Sequence, residues 1–311
     1  MEKLKAFLQR KNIVFSAKRY FIDAMGAMAQ FVKPIDIDLW QNGLPNSNGI
    51  DKTQPYSDET RNFKPSIRVY LPHDNETNRK AVLVIPGGGY RVLSLAQEGY
   101  DWAGVFTPQG ITTVVLNYRM PMGVTDVPIS DATEAMRIIR EKASEWGINP
   151  EKVGVLGSSA GGHLASTIST HNPDATRPNF QILFYPVISM DKEITHMDSH
   201  NCLIGEDATP ELEQLYSNQL QVTEKTPPCI LILADDDFLV SPRNAAEYYI
   251  ALQKNKVKAA MHVYPSGGHG FGCGKRFKYH NEMIQDLNGW LETIKHPEQA
   301  RMFPFPPRRQ Q

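Results

Sequence analysis

The sequence predicts an α/β protein with a mostly parallel central sheet and helices on both faces of that sheet. Two observations lead to this prediction. Short, nearly continuous apolar runs recur between residues 66 and 264, as expected of strands that are buried on both faces. Segments with a helical apolar stripe lie between several of these runs, and such alternation is typical of a parallel sheet covered by helices.

Seven segments are predicted to be strands: 66–71, 81–85, 112–116, 153–156, 182–185, 229–233 and 261–264. The clearest helix is predicted over 131–146, where Asp131 is interpreted as the N-cap and Glu134, three residues later, as its capping-box partner. Further helices are predicted near 244–253 and 281–293, and a short helical piece fits 211–216.

Three segments fall outside this alternation. Residues 1–33 have apolar positions spaced three and four apart, which predicts an amphipathic helix that packs on the body of the protein, on a partner subunit of a homo-oligomer, or on a membrane surface. Residues 34–65 are rich in Pro, Asn, Gly and Asp and are expected to be irregular. Residues 34–311 are predicted to form the catalytic domain. Within it, residues 188–228 have no strand pattern, and we interpret them as a lid or binding excursion. The alternative is an ordinary surface insertion.

Composition narrows the class of protein. The chain has 311 residues, 41% hydrophobic and 22% charged, with a net charge of −1, which suits one large soluble domain and gives no electrostatic reason to bind nucleic acid. We find no apolar run of membrane-spanning length. The cysteines, which lack metal-ligand spacing, are predicted to be free thiols of a cytoplasmic protein: Cys202, Cys229 and Cys273.

A candidate nucleophile lies in the segment Gly157-Ser158-Ser159-Ala160-Gly161, which has the pattern G-x-S-x-G. The motif follows the predicted strand 153–156 and precedes a helix-compatible segment, which is the strand–turn–helix setting of a nucleophile elbow. Ser159 is therefore the predicted nucleophile, and the neighbouring Ser158 is expected to face away from the site.

A serine nucleophile needs a base and an orienting carboxylate. His269 lies in a glycine-rich segment after the predicted strand 261–264, and the carboxylates Asp235, Asp236 and Asp237 follow the predicted strand 229–233. His163, inside the elbow helix, is interpreted as structural. Because active-site loops follow the carboxyl ends of parallel strands, these groups are expected to meet at one edge of the sheet.

Oxyanion donors are predicted in the segment 86–90, Pro-Gly-Gly-Gly-Tyr, which follows the predicted strand 81–85. The N–H groups of Gly88, Gly89 and Ala160 are expected to bind the developing negative charge of a tetrahedral intermediate. A phosphate-binding P-loop is excluded because no Lys-Ser or Lys-Thr follows the glycines. Tyr90, beside this loop, is predicted to line the substrate pocket.

Together these motifs resemble those of bacterial α/β-hydrolase esterases related to sugar and xylan acetyl esterases, which are neighbours of the hormone-sensitive-lipase and prolyl-oligopeptidase-like families. The resemblance rests on segments 86–90, 98–100, 116–119, 157–165, 185–189, 226–228 and 264–272. It implies an α/β-hydrolase fold and a serine ester hydrolase that removes short acyl groups, often acetate, from a small-molecule or oligosaccharide ester, without cofactor or metal.

The resemblance also favours Asp237 over Asp236 and Asp235, because Asp237 and Val240 match the family's Asp-x-x-Val spacing, in which the valine returns to the core. Two positions depart from the pattern of related proteins. Pro86 stands where lipase-like relatives have a histidine, and Ser241 intervenes between Val240 and Pro242.

The alternatives to a carbohydrate deacetylase are a general short-chain carboxylesterase, a prolyl-oligopeptidase-like peptidase and a non-catalytic binding protein. A glycosidase is rejected because it needs two opposed carboxylates.

One further pair is predicted to be structural. Arg119 ends a predicted strand and Asp131 lies near the start of the next predicted helix. We expect an ion pair between them rather than contact with a substrate.

Overall fold

A computed structural model describes residues 33–56, 63–73 and 78–294 of the chain. Within these residues eight strands form one sheet: β1 Ile35–Asp38, β2 Ser66–Tyr70, β3 Ala81–Ile85, β4 Thr112–Asn117, β5 Val153–Ser158, β6 Gln181–Phe184, β7 Cys229–Ala234 and β8 Ala259–Tyr264. Their order across the sheet is β1-β2-β4-β3-β5-β6-β7-β8. The pairs β1–β2 and β2–β4 are antiparallel and all other pairs are parallel, so the predicted mostly parallel sheet is confirmed.

Eight α-helices lie in the described part of the chain: α1 Ile50–Thr53, α2 Ala103–Phe106, α3 Asp126–Glu141, α4 Ala160–His171, α5 Met197–Ile204, α6 Pro210–Tyr216, α7 Arg243–Lys254 and α8 His280–Thr293. Short 3₁₀ turns occur at Tyr100–Trp102, Thr107–Gln109, Pro150–Lys152 and Asn218–Leu220. Every residue of β3, β4, β5, β6 and β7 is buried, because both faces of the central sheet are covered. The helices predicted near 244–253 and 281–293 are confirmed as α7 and α8.

The irregular segment predicted over 34–65 contains regular structure, so that expectation was partly wrong. β1 pairs antiparallel with β2, and α1 follows within the same segment. β1 is an exposed edge strand, so it carries none of the continuous apolar pattern that identified the inner strands. Its pairing is reinforced across the edge by Arg68, whose Nε lies 2.7 Å from Oδ1 of Asp36.

The helix predicted over 131–146 begins earlier and ends earlier than expected, at Asp126 and Glu141. Pro128 lies in its first turn, where a missing N–H is tolerated, and this helix start was not recognised in the sequence. Asp131 therefore lies inside α3 and is not its N-cap, which corrects the capping-box interpretation.

The carboxylate of Asp131 instead holds Arg119, and the predicted ion pair is confirmed. Nη2 of Arg119 lies 2.7 Å from Oδ1 of Asp131, and Nε lies 2.9 Å from Oδ2. Both side chains are almost completely buried. Trp40 Nε1 donates to Asp131 Oδ1 at 2.7 Å, so the pair joins three segments: the region after β1, the end of β4 and the middle of α3.

The excursion over 188–228 contains no strand, as the sequence predicts, and consists of α5, α6, the 3₁₀ turn Asn218–Leu220 and their connections. Except for Lys33, the helix predicted over 1–33 lies outside the described residues. A search of the described residues finds no helix that is long and apolar enough to cross a membrane.

Removal of the Asp131 charge is expected to destabilise the fold strongly. Asp131→Asn keeps the shape of the side chain but leaves Arg119 as a buried charge without its counterion, which costs about 3 kcal/mol. Urea unfolding of wild type and variant measures this loss. The control is Glu141→Gln, which removes one side of an exposed pair with Arg137 and is expected to cost less than about 1 kcal/mol. Equal losses for the two variants would contradict the structural role of the buried pair.

Candidate active site

Ser159 occupies a sharp turn between β5 and α4. Its backbone has φ 54° and ψ −123°, a conformation that is strained for a residue with a side chain. The turn is also too tight for larger neighbours, because a Cβ on Gly157 would collide with the carbonyl oxygen of Gly161. Ser158 is completely buried, whereas Ser159 keeps 6% of its surface accessible. The turn therefore presents the Ser159 hydroxyl at the carboxyl edge of the sheet.

Ser159, His269 and Asp237 form a continuous line of hydrogen bonds. The Ser159 Oγ lies 2.8 Å from His269 Nε2, and His269 Nδ1 lies 2.7 Å from Asp237 Oδ2. A carboxylate can only accept, so Nδ1 carries the hydrogen, and Nε2 is left to accept the hydroxyl hydrogen of Ser159. The imidazole is thus held in the tautomer that a general base needs.

The three aspartates that follow β7 differ in burial and in partner. Asp237 is buried, whereas Asp235 and Asp236 are exposed. Asp237 Oδ1 accepts from the N–H groups of Leu239 and Val240, both at 3.0 Å, which fixes the carboxylate within its own loop. Val240 is 2% exposed and packs in the core.

Asp236, the closest rival for the orienting carboxylate, lies in the same site but has another contact. Its Oδ1 accepts from Gly268 N–H at 2.7 Å, next to His269. The structure therefore brings Asp237 to the imidazole and Asp236 to the backbone of the loop that carries the imidazole.

The glycine loop after β3 lies directly against the turn at Ser159. A Cβ placed on Gly87 would lie 2.7 Å from the carbonyl oxygen of Ser158 and 2.8 Å from the Ser159 Cβ, so only glycine allows this approach. Gly88 and Gly89 follow at once and are partly exposed. Ala160 is the first residue of α4, where a helix has no intrahelical acceptor for its N–H. The predicted donors thus lie on the two segments that flank Ser159.

Tyr90 does not line an open pocket, and its predicted contact with a substrate is corrected here. Its φ of 59° directs the side chain inward, where it is completely buried. The hydroxyl lies 3.0 Å from Nδ1 of His163, whose Nε2 lies 2.8 Å from the Tyr216 carbonyl oxygen. Since that carbonyl must accept from Nε2–H, the Tyr90 hydroxyl donates to Nδ1. His163 is structural, as predicted, and joins the glycine loop to α4 and to the excursion over 188–228.

Two residues at the site received no role from the sequence. Glu98 is buried behind the glycine loop and bonds to Gly87 and Tyr185, and the Tyr185 ring packs against His269 with centroids 4.7 Å apart. The only sequence signal that pointed to these two residues was their presence in segments 98–100 and 185–189, on which the family resemblance partly rests. A buried glutamate has no distinctive pattern in a single sequence.

The arrangement has the groups required for nucleophilic acyl transfer. It combines a hydroxyl nucleophile, a neutral imidazole base held by a carboxylate, and backbone N–H donors beside the nucleophile. All of these groups follow carboxyl ends of parallel strands: β3, β5, β7 and β8.

Comparisons with known proteins agree with this geometry. Residues 82–272 match the sequence model of a family described as having the alpha/beta hydrolase fold. The chain is 44% identical to an acetylxylan esterase from Xylanibacter ruminicola over 240 residues, which are 76% of this chain and 50% of that protein. It is 34% identical to an endo-1,4-beta-xylanase B from Butyrivibrio fibrisolvens, over 67% of this chain and 35% of that protein. The chain thus spans half or less of the length of these two relatives.

One solved structure is similar to this chain over nearly the whole length of the solved protein. The acetyl ester-xyloside bifunctional hydrolase from Caldicellulosiruptor lactoaceticus superposes with a TM-score of 0.75 at 32% sequence identity. The superposition covers 84% of this chain and 96% of that chain.

The buried His163 predicts a pH-dependent loss of stability. Burial lowers the pKa of His163 to about 4, while the histidine of an unfolded chain has a pKa near 6.5. As the pH falls from about 6.5 to about 4, the unfolded state therefore binds a proton that the folded state does not, and the free energy of unfolding falls by up to about 3 kcal/mol.

Urea unfolding across this pH range measures the effect. His163→Gln is expected to have a shallower decline than wild type, whatever its stability at neutral pH. The control His73→Gln, at an exposed position, is expected to keep the wild-type decline. Parallel curves for wild type and His163→Gln would contradict the prediction.

Proposed function

This chain belongs to the α/β-hydrolase fold family, and we propose that it is a serine ester hydrolase that removes short acyl groups, acetate above all, from carbohydrate. The observation that carries the proposal is the hydrogen-bonded line from Asp237 through His269 to Ser159. It lies beside a glycine loop that can supply oxyanion donors. No cofactor or metal has a role in the proposed reaction.

In the proposed acylation step, Ser159 Oγ attacks the ester carbonyl carbon while its proton passes to His269 Nε2. The imidazole becomes positively charged, and the carboxylate of Asp237 stabilises that charge through the bond to Nδ1. The carbonyl oxygen becomes an oxyanion, which the N–H groups of Gly88, Gly89 and Ala160 bind. The loss of one such donor typically costs about 3 kcal/mol of transition-state stabilisation.

The intermediate then breaks its bond to the sugar oxygen, which takes the proton from His269 Nε2 and leaves as an alcohol. A water molecule enters, gives its proton to the same nitrogen and attacks the acyl carbon. Collapse of the second intermediate releases the carboxylic acid and returns the proton to Ser159. One histidine therefore serves both half-reactions.

The proposed acyl acceptor is a carbohydrate. Both the acetylxylan esterase and the acetyl ester-xyloside hydrolase are similar to this chain, and their names supply the substrate class. A cavity of about 680 Å³ borders His269, but neither Ser159 nor the glycine loop contributes to its lining, so the proposal does not depend on it.

The excursion over 188–228 is proposed to form part of the roof over the acyl group. His196, which precedes α5, is the side chain that a Cβ on Gly89 would approach, at 3.7 Å from its Cε1. Arg91, just after the glycine loop, has its Nη2 3.3 Å from Oδ1 of Asp198 in α5. These contacts place His196 and the start of α5 beside the glycine loop.

We do not propose glycoside hydrolysis, although one relative is called a xylanase and a similar structure a xyloside hydrolase. The chain matches only 35% of that xylanase. A glycosidase also needs two carboxyl groups on opposite sides of the sugar. Both oxygens of Asp237 are engaged by His269 and by backbone N–H groups.

A cytoplasmic location and a homo-oligomeric assembly are further proposals. The first is supported by Cys202, Cys229 and Cys273, which are free thiols. The second rests only on the amphipathic pattern of residues 1–33. Cell fractionation tests the location, and the molecular mass in solution tests the assembly.

The proposed activity is tested by measuring acetate released from acetylated xylo-oligosaccharides and from nitrophenyl esters of increasing acyl length. We expect acetyl esters to be hydrolysed and kcat/KM to fall steeply towards octanoyl. Ser159→Ala is expected to lower kcat by about a million-fold while the protein stays folded, and the neighbouring Ser158→Ala serves as control. Wild-type turnover by Ser159→Ala would exclude the mechanism. Activity on nitrophenyl acetate without activity on the oligosaccharides would favour a general carboxylesterase.

The orienting carboxylate is tested by replacing each aspartate of the loop separately. Asp237→Asn removes control of the imidazole tautomer and is expected to lower kcat on the order of 10⁴-fold. Asp236→Asn weakens only the bond to Gly268 N–H, and Asp235→Asn affects an exposed side chain, so both are expected to lose far less. The comparison uses kcat at one pH. A larger loss for Asp236→Asn than for Asp237→Asn would contradict the assignment.

A further inference from the structure

A buried carboxylate lies directly behind the proposed catalytic groups. Glu98 is 4% exposed. Its Oε2 accepts from Gly87 N–H at 3.0 Å, and its Oε1 accepts from the Tyr185 hydroxyl at 2.8 Å. Both oxygens are thus satisfied by donors from two different segments: the glycine loop after β3 and the residue that follows β6.

Tyr185 extends this connection to the histidine loop. Its hydroxyl also accepts from Gly272 N–H at 2.8 Å, and its ring packs against His269. The side chain is 1% exposed and its φ is 34°, an unusual value for a tyrosine. One hydrogen-bonded chain therefore runs from Gly87 through Glu98 and Tyr185 to Gly272.

The pKa of Glu98 is raised overall, so its buried environment favours the neutral form more than water does. Burial raises the pKa of Glu98, while the bond from Tyr185 and the positive charge of protonated His269 act in the opposite direction. The other titratable group that interacts with it is Tyr118, a buried phenol that donates to the Pro86 carbonyl oxygen. The other titratable groups that interact with His269 are Asp237 and His196.

We propose that Glu98 and Tyr185 are positioning residues that hold the oxyanion loop and His269 in a fixed relation to each other. This inference rests on the proposed function, because it assigns a role in the same reaction. It differs from a purely structural role in that it requires a lower kcat at a nearly unchanged KM in folded protein.

The test compares Glu98→Gln, Tyr185→Phe and the double variant with a matched control, Tyr248→Phe. Tyr248 is also completely buried and donates its hydroxyl hydrogen to a side chain, but its partner Gln181 begins β6, at the opposite end of the strand from Tyr185. Acetyl ester hydrolysis is measured per active site, with sites counted by fluorophosphonate labelling, so that unfolded protein does not enter the result.

Glu98→Gln and Tyr185→Phe are each expected to lower kcat by about 10–100-fold with little change in KM, because small displacements of reacting groups cost rates of this order. The double variant is expected to be close to the worse single variant, since both changes break one connection. Tyr248→Phe is expected to retain wild-type kcat.

Wild-type kcat in Glu98→Gln would overturn the proposal. So would equal losses in Tyr185→Phe and Tyr248→Phe. If wild type itself released no acyl group, the proposed function would fail first.

Discussion

The turn at Ser159 is the constraint on which the rest of the site depends. A serine with φ 54° and ψ −123° costs conformational energy, and the surrounding structure has to hold it in place. β5 fixes one side of the turn and α4 the other, and the glycines at 157 and 161 allow the backbone segments to come into contact. The hydroxyl then lies at the carboxyl edge of the sheet, within 2.8 Å of His269 Nε2.

The remaining groups reach Ser159 because parallel strands end at the same edge. Each loop that contributes a group is also fixed by a local contact. Asp237 is held by the backbone N–H groups of its own loop, and Asp236 supports the backbone beside His269. Glu98 and Tyr185 join the glycine loop to the histidine loop from behind. The site is thus a set of loops that are connected to one another as well as to the sheet.

The inner strands and the candidate triad could be predicted from the sequence because their signals are local. An apolar run such as Val153–Leu156 followed by G-x-S-x-G has few structural interpretations. The exposed edge strand β1 was missed because it has no such run. The start of α3 was missed because Asp131 was interpreted as a cap, whereas its carboxylate pairs with Arg119.

Two errors at the site have the same cause. Tyr90 was predicted to face the substrate because it follows the glycine loop, but a positive φ directs it into the core towards His163. Glu98 was given no role, because a glutamate in a sequence suggests the surface unless its partners are known. Its partners, Gly87 and Tyr185, are 11 and 87 positions away in the chain. Such contacts depend on tertiary structure and leave no periodic pattern.

The central claim is that Ser159 carries the acyl group during turnover, and trapping the acyl-enzyme tests it most directly. The enzyme is mixed with an acetyl ester, quenched with acid within the first turnover, digested, and analysed by mass spectrometry. We expect one acetyl group on the peptide that contains Ser159, and none on that peptide from Ser159→Ala. Release of acetate by the wild-type enzyme with the acetyl group on another residue would contradict it.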